Sequence, residues 1–292
     1  MLAAPVPGPG PALVTDSSAS LDPRLTVTVV PLRVLAGGAV ADDATGPLPA
    51  AIARELARGE RLSTTRPAPE RFAAAYAAAA AAGAPAVVSV HLSGELSGTL
   101  GSARLAAATA PVPVHVVDSR TIGAGLGLVV AAAARAAAAG RPAPEVVQAA
   151  RDQAARLGSF FALDSQAQLR AGGRLSGGRL SGGGQGRATA AALLRSRPLL
   201  AIRDGQVVVL ERVRTLAAAE DRLVQRAAVH AAGRRTELAV QHIGNPAAAD
   251  DLRQRLAAAI PAAGPITVTE AGTAILAHTG PGLLAVVAAP QD

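Results

Sequence analysis

A chain of 292 residues is long for one core and comfortable for two domains of roughly 150 residues each. Half of it is apolar but only 1 % is aromatic, so its cores must come from Leu, Val, Ile and alanine-rich helices. The absence of cysteine excludes disulfides, thiolate catalysis and Cys-ligated zinc, and the net charge of +7 comes without a dense basic block or aromatics for base stacking, which argues against nucleic acid.

In chain order, residues 11–15 read as a strand running into the polar turn Asp16-Ser17-Ser18, and the Val-rich alternation over 25–34 as a second strand. Residues 48–58 are helical in pattern, 63–69 form a loop with two prolines, and 70–82 a strong helix stopped by Gly83. A short buried strand at 86–90 leads through the polar loop 91–99 into a helix at 100–108. A strand at 112–117 ends at Asp118-Ser119 and is followed by a helix at 123–139, ended by Gly140. Strands alternating with helices predict a mostly parallel, doubly wound sheet.

A helix at 143–157 leads to an apolar stretch at 160–163 that opens a second domain, so the chain divides into residues 1–158 and 159–292. Short helices are expected at 165–171 and 188–195, around a glycine-rich basic stretch at 172–186. Two strands at 198–202 and 207–214 flank Asp204-Gly205, a favoured hairpin turn. A helix at 216–232, a strand at 236–241, a helix at 247–259 and strands at 266–270 and 283–288 complete an alternating α/β domain. The Pro/Gly-rich start lacks the basic and apolar regions of a signal peptide, and the alanine-rich stretches at 73–82 and 126–139 are too short or interrupted to span a membrane. The expected compartment is the cytoplasm.

Ligands of open α/β sheets bind where loops leave the carboxyl ends of the strands. Four hydroxyl-rich loops fall near predicted strand or helix ends, at 15–18, 63–66, 93–99 and 118–121. Each alone reads as caps and turns, whereas four in one domain read as a site for a carboxylate or phosphate. The excess positive charge is satisfied equally by an anionic partner or by arginines on solvated helix faces. In Gly94-Glu95-Leu96-Ser97-Gly98 the glycines bracket Ser97 unequally, unlike a nucleophile elbow, and no ordered Ser–Asp–His set accompanies it. A small-molecule hydrolase or phosphotransferase using Ser97 or Asp118 is the enzyme alternative; it requires a base beside the hydroxyl and an open polar cleft. Gly172-Gly173-Arg174 lacks the ending of a Walker loop. His278, in a Gly/Pro turn before the last strand, can donate to an anion. The other histidines lack ligand spacing, so no metal is expected.

These pieces, in this order, resemble the DegV family of fatty-acid-binding proteins. Val14-Thr15-Asp16-Ser17-Ser18 looks like the family's opening strand and turn, and Thr64-Thr65-Arg66-Pro67-Ala68 is similar to its Thr-Ser-x-Pro-Ser loop. Leu96-Ser97-Gly98-Thr99, Val117-Asp118-Ser119-Arg120 with Gly125-Leu126-Gly127, Leu169 to Leu175 and His278-Thr279-Gly280-Pro281-Gly282 match further motifs across nearly the whole chain. The resemblance implies two α/β domains with an apolar tunnel between them for one long-chain fatty acid. It also implies a separate fatty acid kinase of the DAK-domain type that phosphorylates the presented carboxylate, with no catalytic residues, cofactor or nucleic acid on the carrier and transient membrane contact within its reach. Carried over residue by residue, Thr64, Ser97 and His278 hold the carboxylate, Thr65, Ser93 and Gly98 contribute around it, and Arg174 and Arg214 face the kinase. Two positions depart from the pattern: Ala68 stands for the second serine, and Arg66 brings a charge where a neutral polar residue is common. Residues 176–187 are also richer in glycine than the pattern.

Overall fold

The computed structural model describes residues 10–43, 48–163, 173–175 and 197–291. The first sheet is parallel throughout, in the order β2-β1-β6-β7, from β1 (Ala12–Asp16), β2 (Thr28–Val30), β6 (Val87–His91) and β7 (Val114–Asp118). Every residue of β6, Val-Val-Ser-Val-His, is buried, as befits a strand covered on both faces. One face is covered by α2 (Pro69–Ala81) and α3 (Thr99–Ala107), the other by α4 (Ala124–Ala138) and α5 (Ala143–Arg156). Proline opens α2 at a position that needs no donor, alanine carries its length, and Phe72 and Tyr76, one turn apart, fill the core below. In α4 the bare backbone of Gly127 sits on the Ser20 carbonyl, 2.0 Å from where a Cβ would lie. Only glycine lets this helix approach the loop after β1 so closely.

The second sheet runs β10-β9-β8-β13-β11-β12, built from β8 (Gly158–Ala162), β9 (Arg197–Arg203), β10 (Gln206–Val213), β11 (Thr236–His242), β12 (Thr267–Glu270) and β13 (Leu284–Pro290). It is antiparallel except for the β11–β12 pair. The β9–β10 hairpin turns at Asp204-Gly205 with φ of 51° and 79°, the two left-handed residues that a tight hairpin needs. Helices α6 (Leu216–Ala231) and α7 (Pro246–Ala259) cover one face through Leu223, Leu252 and Leu256. The other face looks toward the N-terminal domain, where Ala124 and Leu128 of α4 pack on Ala239, Val287 and Ala289.

Three readings of the sequence are corrected. The stretch 25–34 is two strands, with β2 in the parallel sheet and β3 (Arg33–Ala36) turned into a small antiparallel sheet, β4-β3-β5, with β4 (Ala39–Asp42) and β5 (Leu62–Thr65). The break falls at Pro31, which has no amide to continue a ladder. Thr64 and Thr65 therefore stand on strand β5, where the sequence suggested a loop. His278 belongs to the last turn of α8 (Thr273–Thr279), and the Gly/Pro turn begins behind it at Gly280, φ 73°. The short helices expected at 165–171 and 188–195, with most of the glycine-rich stretch, lie outside the described residues.

Candidate functional site

Between the domains lies a cavity of about 100 Å³ whose wall is mostly apolar, including Leu92, Leu96, Ile122, Phe161, Ile202, Val207, Ile275 and Leu283. It lies along the C-terminal sheet. Ser159, Ile202 and Val287 share one rung, and Leu283, four residues before Val287, stands about 13 Å away at 3.3 Å per strand residue. Thr64, Ser97, His278 and Arg174 contribute polar groups to the wall, and Ser18, Ser159, Gln241 and Thr279 complete them.

The polar cluster is assembled from distant pieces of chain. Asp43 fixes α8 to the N-terminal domain: its carboxylate accepts from the Ala274 amide (2.8 Å) and from the Ser17 hydroxyl (2.7 Å). Burial raises the Asp43 pKa above its ordinary value despite these bonds. With α8 so anchored, His278 Nε2 meets Thr64 Oγ1 at 2.7 Å across 214 residues of sequence. Ser97 sits in the turn between β6 and α3. Its hydroxyl pairs with Thr99 Oγ1 at 2.9 Å and accepts from the Thr99 amide. Arg174 reaches the same turn, its Nε donating to the Leu96 carbonyl at 3.4 Å.

Burial, and next the neighbouring Arg174 charge, lower the His278 pKa from 6.5 to about 4. The imidazole is therefore neutral at pH 7 and serves the site as a hydrogen-bonding group. Its unfolded counterpart takes up a proton near pH 6.5, so between pH 6.5 and 4 the unfolded chain binds more protons. The stability this group contributes is complete above pH 6.5 and is lost as the pH falls through the folded pKa. Urea unfolding at pH 7.0 and 4.5 is expected to show a loss of about 2 kcal/mol that His278→Gln removes, allowing for screening of a partly exposed ring. The wild-type-to-variant difference isolates it from carboxylates titrating in the same window, and equal losses in both proteins would refute it.

The remaining residues singled out in the sequence lie off the cavity wall. Ser93 is buried as a structural clasp, donating to the Gly205 carbonyl at 2.8 Å and so docking the β9–β10 turn on the N-terminal domain. Thr65 and Gly98 are exposed beside Thr64 and Ser97, and Arg214 is exposed beyond β10. Asp118, the other half of the enzyme alternative, faces a separate polar cleft of about 610 Å³ with Arg120, Arg151 and Arg203. Its carboxylate accepts from the Arg120 amide at 2.8 Å. Ser97 and Asp118 thus open into different cavities, and the Ser97 hydroxyl bonds a threonine rather than an imidazole.

One buried chain escaped the sequence. Asp16 Oδ2 lies 3.0 Å from His91 Nδ1, His91 Nε2 lies 2.6 Å from Ser89 Oγ, and Ser89 meets Tyr76 Oη at 2.9 Å. Asp16 also accepts from the Leu92 amide and from the amide and hydroxyl of Ser18. The order of groups is that of a hydrolase triad, but all four side chains are fully buried and none lines the cavity. The alternation of Ser89 and His91 along β6 was the available signal, since residues two apart share a face.

The fold and this cavity define a class: a two-domain α/β protein with an apolar chamber at the domain boundary and a polar cluster set into its wall. The chain belongs to the DegV family, whose model, described as "Uncharacterised protein, DegV family", matches residues 11–291. A DegV domain-containing protein of Streptomyces coelicolor is 40 % identical over 280 residues, covering 94 % of this chain and 97 % of that one. A DegV domain-containing protein of Mycobacterium tuberculosis is 37 % identical over 279 residues, 94 % of this chain and 95 % of its own length. Among solved structures, a DegV family protein from Thermus thermophilus, described for its fatty acid binding, superposes with a TM-score of 0.84 at 32 % identity, covering 97 % of this chain and 100 % of that one. DegV of Bacillus subtilis shares the fold at 23 % identity, with a TM-score of 0.82 over 97 % of this chain and all of its own. Among the described residues no helix is long and apolar enough to cross a membrane, and no group of acidic or histidine side chains is placed to hold a metal.

Proposed function

We propose that this protein is a fatty acid carrier, holding one long-chain fatty acid in the interdomain cavity with its carboxylate at Thr64, Ser97 and His278. The observation that carries the reading is the convergence of three polar side chains, from β5, the turn before α3 and α8, on one mostly apolar cavity. A buried carboxylate costs several kcal/mol unless hydrogen-bonded, and two hydroxyls and an imidazole can supply the donors. Each buried methylene of the tail then contributes about 0.8 kcal/mol. The fatty acid binding described for the Thermus thermophilus relative supports the same ligand class.

The carrier acts in the cytoplasm, with transient membrane contact, and presents the carboxylate to a separate DAK-domain fatty acid kinase. There a carboxylate oxygen attacks the γ-phosphorus of ATP, forming the acyl phosphate and releasing ADP. The carrier supplies neither catalytic residue nor cofactor. Arg174 at the cavity wall and exposed Arg214 face the kinase, and the domains divide at 158/159.

Native mass spectrometry of the purified protein is expected to show one fatty acid per chain, released on solvent extraction. An apo mass that takes up neither palmitate nor oleate would sink the reading. Offered loaded to a fatty acid kinase with ATP, the Arg174→Ala variant is expected to form acyl phosphate several-fold more slowly, with a smaller change in binding; an unchanged rate removes Arg174 from that role.

A further inference from the structure

We propose that Arg66 makes this cavity select an ionised head group over an uncharged one, by holding its guanidinium across the gap between the two elements that carry Thr64 and Ser97. The inference rests on the fatty acid reading and adds to it a specificity-determining residue.

Arg66 directly follows β5, two residues beyond Thr64. Arg66 is exposed and does not itself line the cavity, but its side chain crosses to the turn before α3 and lies on the bare backbone of Gly98. A Cβ at position 98 would stand 2.6 Å from Arg66 Nη1, 2.9 Å from its Cδ and 3.5 Å from its Cζ. The backbone of Gly98, at φ −72° and ψ 4°, is open to any residue, so what an alanine would disturb there is the Arg66 contact. Gly98 adjoins Ser97, whose side chain lines the cavity. The guanidinium is thus held next to a head-group residue by van der Waals contact. Arg66 has no hydrogen-bond or ion-pair partner among the described residues, which leaves its charge uncommitted.

That charge adds to the donors. A carboxylate moved from water into a mostly apolar chamber is stabilised further by a cation beside its hydrogen-bond donors. His278 carries no charge at pH 7 before a carboxylate enters. Arg174 supplies one at the same turn, where it donates to the Leu96 carbonyl. The turn 96–98 thus carries two guanidiniums, and of these Arg66 is the one without a protein partner among the described residues. An alcohol of equal chain length gains the same apolar burial and hydroxyl contacts but nothing from this charge, so the discrimination falls to the cations.

The test is a pair of affinities, for palmitate and for hexadecanol, measured on wild type, Arg66→Gln, Arg66→Lys and Gly98→Ala at low and at 0.5 M salt. Wild type is expected to prefer palmitate. The preference should fall about 3- to 10-fold in Arg66→Gln, be largely kept in Arg66→Lys, and fall in Gly98→Ala because the added methyl displaces the guanidinium. High salt should narrow the gap between wild type and Arg66→Gln. A wild type that binds palmitate, with a selectivity that Arg66→Gln leaves unchanged, overturns this inference alone. A wild type that binds neither compound overturns it together with the fatty acid reading.

Discussion

A protein carrying Thr64→Val together with Ser97→Ala is expected to stay folded and to bind palmitate roughly 30- to 150-fold more weakly than wild type. A hydrogen bond to a charged group contributes about 1.5–3 kcal/mol, and the two hydroxyls act on one carboxylate, so their effects will not add in full. A combined loss of about 2–3 kcal/mol corresponds to that range of affinity. The fold should tolerate both changes. Thr64 and Ser97 are only partly buried, and the bonds they lose, to His278 and to Thr99, cost about 1 kcal/mol each. Valine keeps the β-branched shape that suits strand β5. Titration with palmitate beside a urea melt separates the two effects. Unchanged affinity in a folded double variant would move the carboxylate elsewhere in the cavity.

The largest loss of stability is expected at Asp16, which touches no ligand in this reading. Its carboxylate accepts from the Ser18 amide at 3.1 Å, the Ser18 hydroxyl at 2.5 Å, the Leu92 amide at 3.0 Å and His91 Nδ1 at 3.0 Å, all in the fully buried end of the parallel sheet. Alanine there would leave the backbone donors and the imidazole unpaired where water does not reach. Each orphaned buried group costs about 1–3 kcal/mol, and several are orphaned together here. Asp16→Ala should therefore lower the unfolding free energy in urea by about 3–5 kcal/mol without changing the slope of the transition. Ser18 and Leu92, which line the cavity, are held by the same carboxylate, so ligand affinity should drop as well. A loss under 1 kcal/mol would show that the network is wetted or easily rearranged.

Much of this was legible in the sequence. The buried run at β6, the alanine helix read at 70–82 and stopped by Gly83, and the Asp204-Gly205 hairpin each obey a rule of only a few residues, and the structure follows them, with Pro69 added as the helix's first residue. The small sheet β4-β3-β5 was not legible. Its strands are four residues long and β4 and β5 are half-exposed, so neither a long apolar run nor a clear alternation marks them; pairing with a neighbour is what makes them strands. His278 was singled out in the sequence, and it does line the cavity, but it was not legible as part of a helix, because a seven-residue helix closed by Gly280 reads locally as a turn.

The sequence by itself determined the class of fold, the family resemblance and which hydroxyls and imidazole could form a head-group site, because periodicity, turn chemistry and motif order are local properties. Only the tertiary structure decided which of them meet. It brought Thr64 to His278 through the Asp43 anchor, turned Ser93 inward as a clasp, separated Ser97 from Asp118, sealed Asp16, His91 and Ser89 away from the cavity, and laid Arg66 over Gly98. Each of these pairings but Ser89 with His91 spans tens to hundreds of residues or turns on a side chain's direction, and long-range contact is set by how packed elements face one another.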